Sequence, residues 1–312
     1  MISYKLNLLD IPNKRKNHSR PTAYTGGLAI SFAYLCSLQI FDILYRDLNL
    51  ILSVAFLIAI IGFIDDKFYL KIGEKLSLQI IPIFYMIVFE NFSLTQIGNY
   101  NLFQLDLESF AIPYTLLCVL FLINAFNYFD GVDGTLSFTS ISILAILYFL
   151  TSDENIRLFL VTILIPIFIF ISFNFALFKL PKLFLGDSGS LLLGFIISFI
   201  LIFCAKEELI HPILLAWSIA LFVYEFLSIN LIRLKNRKNL FKAGRDHLHH
   251  LLILKTNSIF VTNFLMSISN IVLFTIGYIV FDYFNPLASL LVFMFFFIIF
   301  FIFRNYYFTK KI

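Results

Sequence analysis

Charge is scarce in this sequence of 312 residues: Asp, Glu, Lys and Arg make up 13 % of it, about half the share of a soluble domain. Hydrophobic residues make up 60 %, against roughly 45–50 % in soluble domains. So few charges cannot cover so much apolar surface in water, which excludes a soluble fold. Cysteine is scarce too. Cys36, Cys118 and Cys204 lie in apolar runs, are odd in number and form no CxxC. That argues against a disulfide framework and a thiolate metal site, and they read as small buried hydrophobes. No signal peptide is visible or expected: the residues up to Pro21 are largely polar and basic, and the first apolar run is too long for an h-region. No internal repeat is detectable, which weakens an inverted-repeat transporter. The net charge of +4 is mild, and no nucleic-acid partner is expected.

What the sequence does have is long apolar runs. About 20 residues cross a bilayer, and ten stretches are candidates: 28–45, 48–64, 76–90, 111–123, 136–150, 156–178, 190–205, 212–232, 259–281 and 286–303. Pro82, Pro113 and Pro166 predict kinks, which membrane helices tolerate. The expected fold class is all-α. It is a polytopic integral membrane protein of about ten transmembrane helices in a single domain over 1–312. An N-terminal arm covers 1–27, and a basic, His-bearing loop covers 233–258. Threaded alternately, one set of loops and both termini hold 20 of the 23 Lys and Arg; the other set holds only Arg46, Arg157 and Lys206. The positive-inside rule puts the first set and both termini in the cytoplasm. Every segment with chemical character falls in that set.

Five segments carry chemistry. Asp65-Asp66-Lys67 ends an apolar run, with Lys71 and Lys75 following. Adjacent carboxylates repel each other and favour a cation or a shared proton, although a solvated helix end has the same appearance. Consecutive helical residues point about 100° apart, so the two should not be equivalent. The stretch 124–134 packs Asn124, Asn127, Asp130, Gly131, Asp133 and Gly134 together. Such oxygen donors suit a hard cation like Mg²⁺; the alternative is a polar turn between spans. Leu185-Gly186-Asp187-Ser188-Gly189-Ser190 opens a span, where free amides favour anions. Asp187 can hold a phosphate-bridging metal, while Asp187 or Ser188 could equally be a plain N-cap. Arg245-Asp246-His247-Leu248-His249-His250 has three His in four residues, but no spacing of the HExxH kind for zinc. Among so many basic residues it reads as an anion-binding cluster, in a loop with no apolar face to pack. The arm, Asp10-Ile-Pro12-Asn13-Lys14-Arg15-Lys16 with His18, Pro21, Gly26 and Gly27, could hold anionic head groups. A carboxylate-bound cation, many phosphate donors and a cytoplasmic membrane edge together fit phosphoryl transfer between a soluble and a membrane-embedded substrate.

In this order, DIPNKRKNH…GG, DDK, NAFNYFDGVDG, FLGDSGS and RDHLHH resemble the motifs of the polyprenyl-phosphate N-acetylhexosamine-1-phosphate transferases. The likeness is to the WecA-like branch, related to the MraY translocase, and runs from Asp10 to about His250. It implies that a UDP-N-acetylhexosamine and undecaprenyl phosphate give a polyprenyl-diphospho-sugar and UMP. That would be the first membrane step of O-antigen or other surface-polysaccharide synthesis, with the active site on the cytoplasmic side of the inner (plasma) membrane. GlcNAc is the default sugar and Mg²⁺ or Mn²⁺ the implied cofactor; a homodimer is allowed for. By the same resemblance, Asp187 and Asn127 are metal ligands. Asp65 and Asp66 position the lipid phosphate and count with Asp187 as catalytic. Lys75 touches the diphosphate, and Asp133 stands at the uridine-recognising position. Arg245, His247, His249 and His250 clamp the sugar-phosphate, and Asn124 and Asp130 are grouped with these substrate-binding residues. Two features depart from the pattern. Only Met1–Leu9 precede the DIPN motif, where relatives commonly have a further span. Glu225 stands where the branch commonly has Asp.

Two rivals remain. A UbiA-type prenyltransferase needs two Asp-rich motifs, and Asp130-x-x-Asp133 supplies one. A lipid-linked-sugar transporter or flippase needs charge near the bilayer midplane, where only Asp42 and Glu225 are candidates, both nearer a span's end.

Overall fold

The structure, a computed structural model, describes residues 8–12, 21–41, 43–238, 244 and 246–309. Strand β1 (Leu9–Asp10) pairs antiparallel with β2 (Thr22–Ala23) and folds the N-terminal arm back on itself. Helices α1 (Gly26–Ser37), α2 (Arg46–Phe68) and α3 (Ile72–Phe84) follow. After Pro82, α3 runs on as a π-helical turn, Tyr85–Phe89. A hairpin of β3 (Gln96–Asn99) and β4 (Gln104–Asp106) leads to α4 (Ala111–Phe129). Next come α5 (Thr135–Leu150), α6 (Glu154–Asn174) and α7 (Gly186–Lys206). Helices α8 (Pro212–Ser218) and α9 (Ala220–Lys235) meet at a bend of 72°. The chain finishes with α10 (Leu248–Thr256), α11 (Ile259–Tyr283) and α12 (Pro286–Thr309).

Each of the ten apolar runs contains a helix. Among the described residues, 7 are long and apolar enough to cross a membrane, and the bent pair α8–α9 makes an eighth. The other two, α1 and α5, are apolar but shorter. The run at 28–45 is helical only as far as Ser37, the end of α1, because the chain leaves the helix in turns at Leu38–Phe41. Cys36 on α1 is exposed rather than buried, unlike Cys204; an apolar run does not reveal which face turns outward.

Helix α7 is the core. It is apolar on all sides and buried from Ser188 to Ala205, as expected of a helix surrounded by others. It packs on α1, α2 and α4. The contact with α2 depends on Gly62, where a β-carbon would stand 2.5 Å from the Asp187 carbonyl oxygen. That approach lays the end of α2 on the start of α7. By contrast α11 and α12 leave large apolar side chains such as Phe264, Phe295 and Ile298 exposed, a surface whose natural solvent is lipid.

Candidate active site

The start of α7 is capped from outside. Asp66 Oδ1 accepts the Asp187 N–H at 3.1 Å and Asp66 Oδ2 the Ser188 N–H at 3.3 Å. The first-turn N–H groups of a helix need such acceptors. Gly186 makes this geometry possible: its φ is +73°, and a β-carbon there would lie 2.6 Å from Asp66 Oδ2. Capping by Asp187 or Ser188 themselves is therefore not what forms, and the Asp187 carboxylate is left for the site. Its Oδ2 accepts from Lys75 Nζ, and its Oδ1 from Asn127 Nδ2 at 2.9 Å. Asn127 Nδ2 also reaches Ser190 Oγ at 2.9 Å. Lys75 pairs in turn with Asp65 Oδ2 at 2.7 Å, while Asp65 Oδ1 accepts the Leu70 N–H at 3.0 Å. Asp65 thus holds a lysine and Asp66 a helix end, as their different directions from α2 require. Lys67 instead lies over the Phe68 ring.

A second wall is the turn from Asp130 to Gly134 between α4 and α5. Asn263 of α11 pins it, donating from Nδ2 to the Asp133 carbonyl at 2.8 Å and accepting from Thr135 Oγ1 at 2.7 Å. The Asp133 carboxylate pairs with Lys182. Between this turn and the start of α7 lies a cavity of about 640 Å³, lined by Asp10, Asp66, Asp130, Asp133, Asp187, Lys182 and His250. The β1–β2 pair brings Asp10 and Tyr24 to its rim. Burial, then the charges of Asp187, Asp66 and Asp133, push the Asp130 carboxyl well above the usual carboxylate range. Five carboxylates line this cavity while lysines pair with two of them, Lys182 with Asp133 and Lys75 with Asp187, so the excess of carboxylates attracts cations.

The His helix α10 closes the third side. His250 lines the cavity. His249 is buried beside the acidic turn: a β-carbon at Gly131 would lie 2.5 Å from His249 Nε2. Burial, then the neighbouring His250 and His247, push its pKa well below the ordinary value, which favours the neutral ring. His247 stacks on it at 5.7 Å. Among the described residues no three His, Cys, Asp or Glu side chains make a ready metal cluster. The expectation that 233–258 lacks a face to pack is corrected: Leu248 and His249 are buried against the bundle.

Asn124 does not join the site. It donates back to the Leu120 carbonyl one turn earlier at 2.7 Å, and it does not line the cavity. Arg245 lies outside the described residues. Missed from sequence were Lys182, Asn174 and Phe184, which line the cavity, and Arg233 and Arg304, which hold the His helix. An arginine at the end of an apolar run was the available signal for Arg304, since ionisable groups at membrane depth are seldom idle.

Residues 48–205 match the family described as glycosyl transferase family 4. The chain is 28 % identical over 259 residues to the undecaprenyl-phosphate alpha-N-acetylglucosaminyl 1-phosphate transferase of Escherichia coli (strain K12), covering 81 % of this chain and 71 % of that protein. To the transferase of the same name from Yersinia pestis it is 29 % identical over 260 residues, with the same coverage. To the probable undecaprenyl-phosphate N-acetylglucosaminyl 1-phosphate transferase of Bacillus subtilis it is 28 % identical over 286 residues, covering 87 % of this chain and 79 % of that one. The matched segment contains the carboxylates Asp65, Asp66, Asp130, Asp133 and Asp187, but not Asp10. The chain therefore belongs to glycosyl transferase family 4, as a multi-pass membrane enzyme of that family.

Proposed function

We propose that the protein transfers N-acetylglucosamine 1-phosphate from UDP-GlcNAc to undecaprenyl phosphate, releasing UMP, at the cytoplasmic face of the plasma membrane. One observation carries the reading: Asp65, Lys75, Asn127 and Asp187, from four helices, converge where the cavity meets the helix ends. The names of the relatives point to the same reaction, and the excess of Lys and Arg in loops at this end supports the sidedness.

In this reaction an oxygen of the lipid phosphate attacks the β-phosphorus of the donor. The P–O bond to the α-phosphate breaks, and UMP leaves with its electrons. Such transfer needs positioning and charge stabilisation more than covalent chemistry. Lys75, held between two carboxylates, is fixed to receive phosphate oxygens. Asp65 keeps Lys75 in place and is the carboxylate we assign to take the proton of a protonated lipid phosphate. Asp66 fixes Asp187 by holding its backbone. Asp133, Lys182 and the His helix face the donor side.

The donors fit a divalent cation. They are all oxygen, from the Asp187 carboxylate and, with its amide turned, the Asn127 carbonyl, within a cluster where negative charge is in excess. Mg²⁺ is commonly held by one or two carboxylates and completed by substrate phosphates, which suits a site where the described residues offer no ready three-residue cage. Bound there, Mg²⁺ or Mn²⁺ would neutralise diphosphate oxygens as charge develops.

The test is an assay of purified protein in detergent with undecaprenyl phosphate and a panel of UDP-sugars. UMP release that requires both substrates and a divalent cation, and is fastest with UDP-GlcNAc, is expected. Absence of UMP with every UDP-sugar would remove the reading.

A further inference from the structure

The most deeply buried ion pair on this side of the bundle lies away from the carboxylate cluster. Glu225 on α9 and Arg304 on α12 are 1 % and 0 % exposed. They meet through a two-pronged contact: Arg304 Nε to Glu225 Oε2 at 2.8 Å and Arg304 Nη2 to Glu225 Oε1 at 2.9 Å. Neither residue lines the cavity. Both hold the entry to α10. Glu225 Oε1 accepts the N–H of Leu248, the first residue of α10, at 2.8 Å, where a negative charge also suits the helix dipole. Arg304 Nη2 donates to the Asp246 carbonyl at 2.6 Å. A second fork steadies the same segment, with Arg233 Nε and Nη2 on Asp246 Oδ2 and Oδ1 at 3.1 and 2.8 Å. What this assembly places is His249 and His250. His249 Nε2 is buried without a partner beside Gly131, and His250 faces the cavity.

Desolvating a carboxylate and a guanidinium is costly, and an apolar pair of like volume would hold two helices together as well or better. A fork, however, fixes direction as well as contact. Here it ties the last helix of the chain, far in sequence from the carboxylate motifs, to the first turn of the His helix.

We propose that Arg304 and Glu225 are a positioning pair for the transfer: through them α12 sets where His249 and His250 stand against the acidic turn, and so how tightly the donor diphosphate is held. The pair touches no substrate. It acts through α10, and the inference rests on the reading that α10 faces the UDP-sugar.

The experiment measures KM for UDP-GlcNAc and for undecaprenyl phosphate separately, with kcat and thermal stability, in Arg304→Lys and Glu225→Asp and in the apolar double variant Glu225→Leu/Arg304→Met. The double variant keeps the packing without leaving an unpaired charge, so it stays informative where a single variant fails to fold. A positioning role predicts that the double variant keeps the wild-type Tm within a few degrees. Its KM for UDP-GlcNAc should rise about tenfold, the scale of one hydrogen bond to a charged group, with the KM for undecaprenyl phosphate changed far less. Arg304→Lys, which keeps the charge and loses the fork, should fall between. An unchanged KM for UDP-GlcNAc in the folded double variant, or equal rises for both substrates, overturns the pair's role. A His250→Ala control separates the two failures. If His250→Ala raises that KM and the pair does not, only this inference fails. If His250→Ala leaves it unchanged, the donor-side reading of α10 fails first, and this inference with it.

Discussion

On the α2–α7 side of the cavity, Asp65 and Asp187 divide one ammonium, that of Lys75, and Asp66 rests on two backbone N–H groups. On the α9–α12 side each carboxylate has its own guanidinium: the buried Glu225 has Arg304 and the half-buried Asp246 has Arg233. Both sides bury charge, but only the second neutralises it. The difference separates two tasks. A cluster short of positive charge is ready to bind a cation and to bear phosphate chemistry. A cluster balanced within itself gains nothing from a ligand and serves to hold a helix still. The boundary falls beside the family match, which ends at residue 205, before either guanidinium.

The largest effect should come from removing charge on the unbalanced side. Asp187→Asn keeps the shape and the acceptor for Lys75 but loses the anion, so turnover should fall by about 10²–10³, the scale for one preorganised electrostatic contact. KM should move far less. UMP release at saturating Mg²⁺ measures this, and near-normal turnover would show that the excess of carboxylates has no catalytic purpose.

Next in size is the contrast between Asp65 and Asp66. Asp66→Ala removes the cap of α7 and should lower stability by about 1–2 kcal/mol, whereas Asp66→Asn, itself a good cap, should keep most of it. Asp65→Asn loosens Lys75 and should cost turnover more than Tm. Melting curves alongside UMP release distinguish the two, and equal, small losses at both positions would mean a solvated helix end.

These two carboxylates also show how far the sequence was legible. The five motifs could be read because each is a short run with local spacing, and ten apolar runs are a matter of composition. The partners could not. That Asp66 caps a helix starting 120 residues later, or that Arg304 forks onto Glu225, depends on packing that no local pattern encodes. Arg304 follows an apolar run and looks like a topological anchor. Asn124 looked functional because it sits within a motif, but one helical turn from Asn127 it points to its own backbone.

A smaller effect separates the sides by pH. The Asp130 pKa is raised in the fold, so ionising it costs stability, and that cost grows as pH rises from the unfolded value of about 3.9 toward the folded one. The His249 pKa is lowered, so its contribution is present above the unfolded value of about 6.5 and is lost as pH falls below it. The Asp246 carboxyl, lowered against desolvation chiefly by Arg233, loses its contribution only at lower pH, as its folded value is passed. Acidification from about pH 7 to 5 should therefore relieve the carboxylate side and weaken the His side. Asp130→Asn should raise Tm near neutrality, by an amount that shrinks toward about pH 5. His249→Gln should flatten the loss of Tm over that interval. The same pH slope in both variants would remove the distinction.

The smallest effect should lie at the opposite end of the bundle. Arg46 pairs with Glu90 at 2.9 Å, but its side chain is 76 % exposed, and such pairs contribute little. Arg46→Ala should leave kcat and both KM values unchanged, which makes it the control for every variant above.

The unbalanced carboxylate cluster is proposed to move a sugar together with its phosphate. UDP-GlcNAc labelled with ³²P at the β-phosphate, incubated with undecaprenyl phosphate and the purified enzyme, tests it most directly. The label is expected to pass to the lipid while unlabelled UMP is released, and Asp187→Asn is expected to abolish both within the assay time. Label left in UDP beside an unlabelled lipid-linked sugar would contradict it, because the sugar would then have moved without its phosphate.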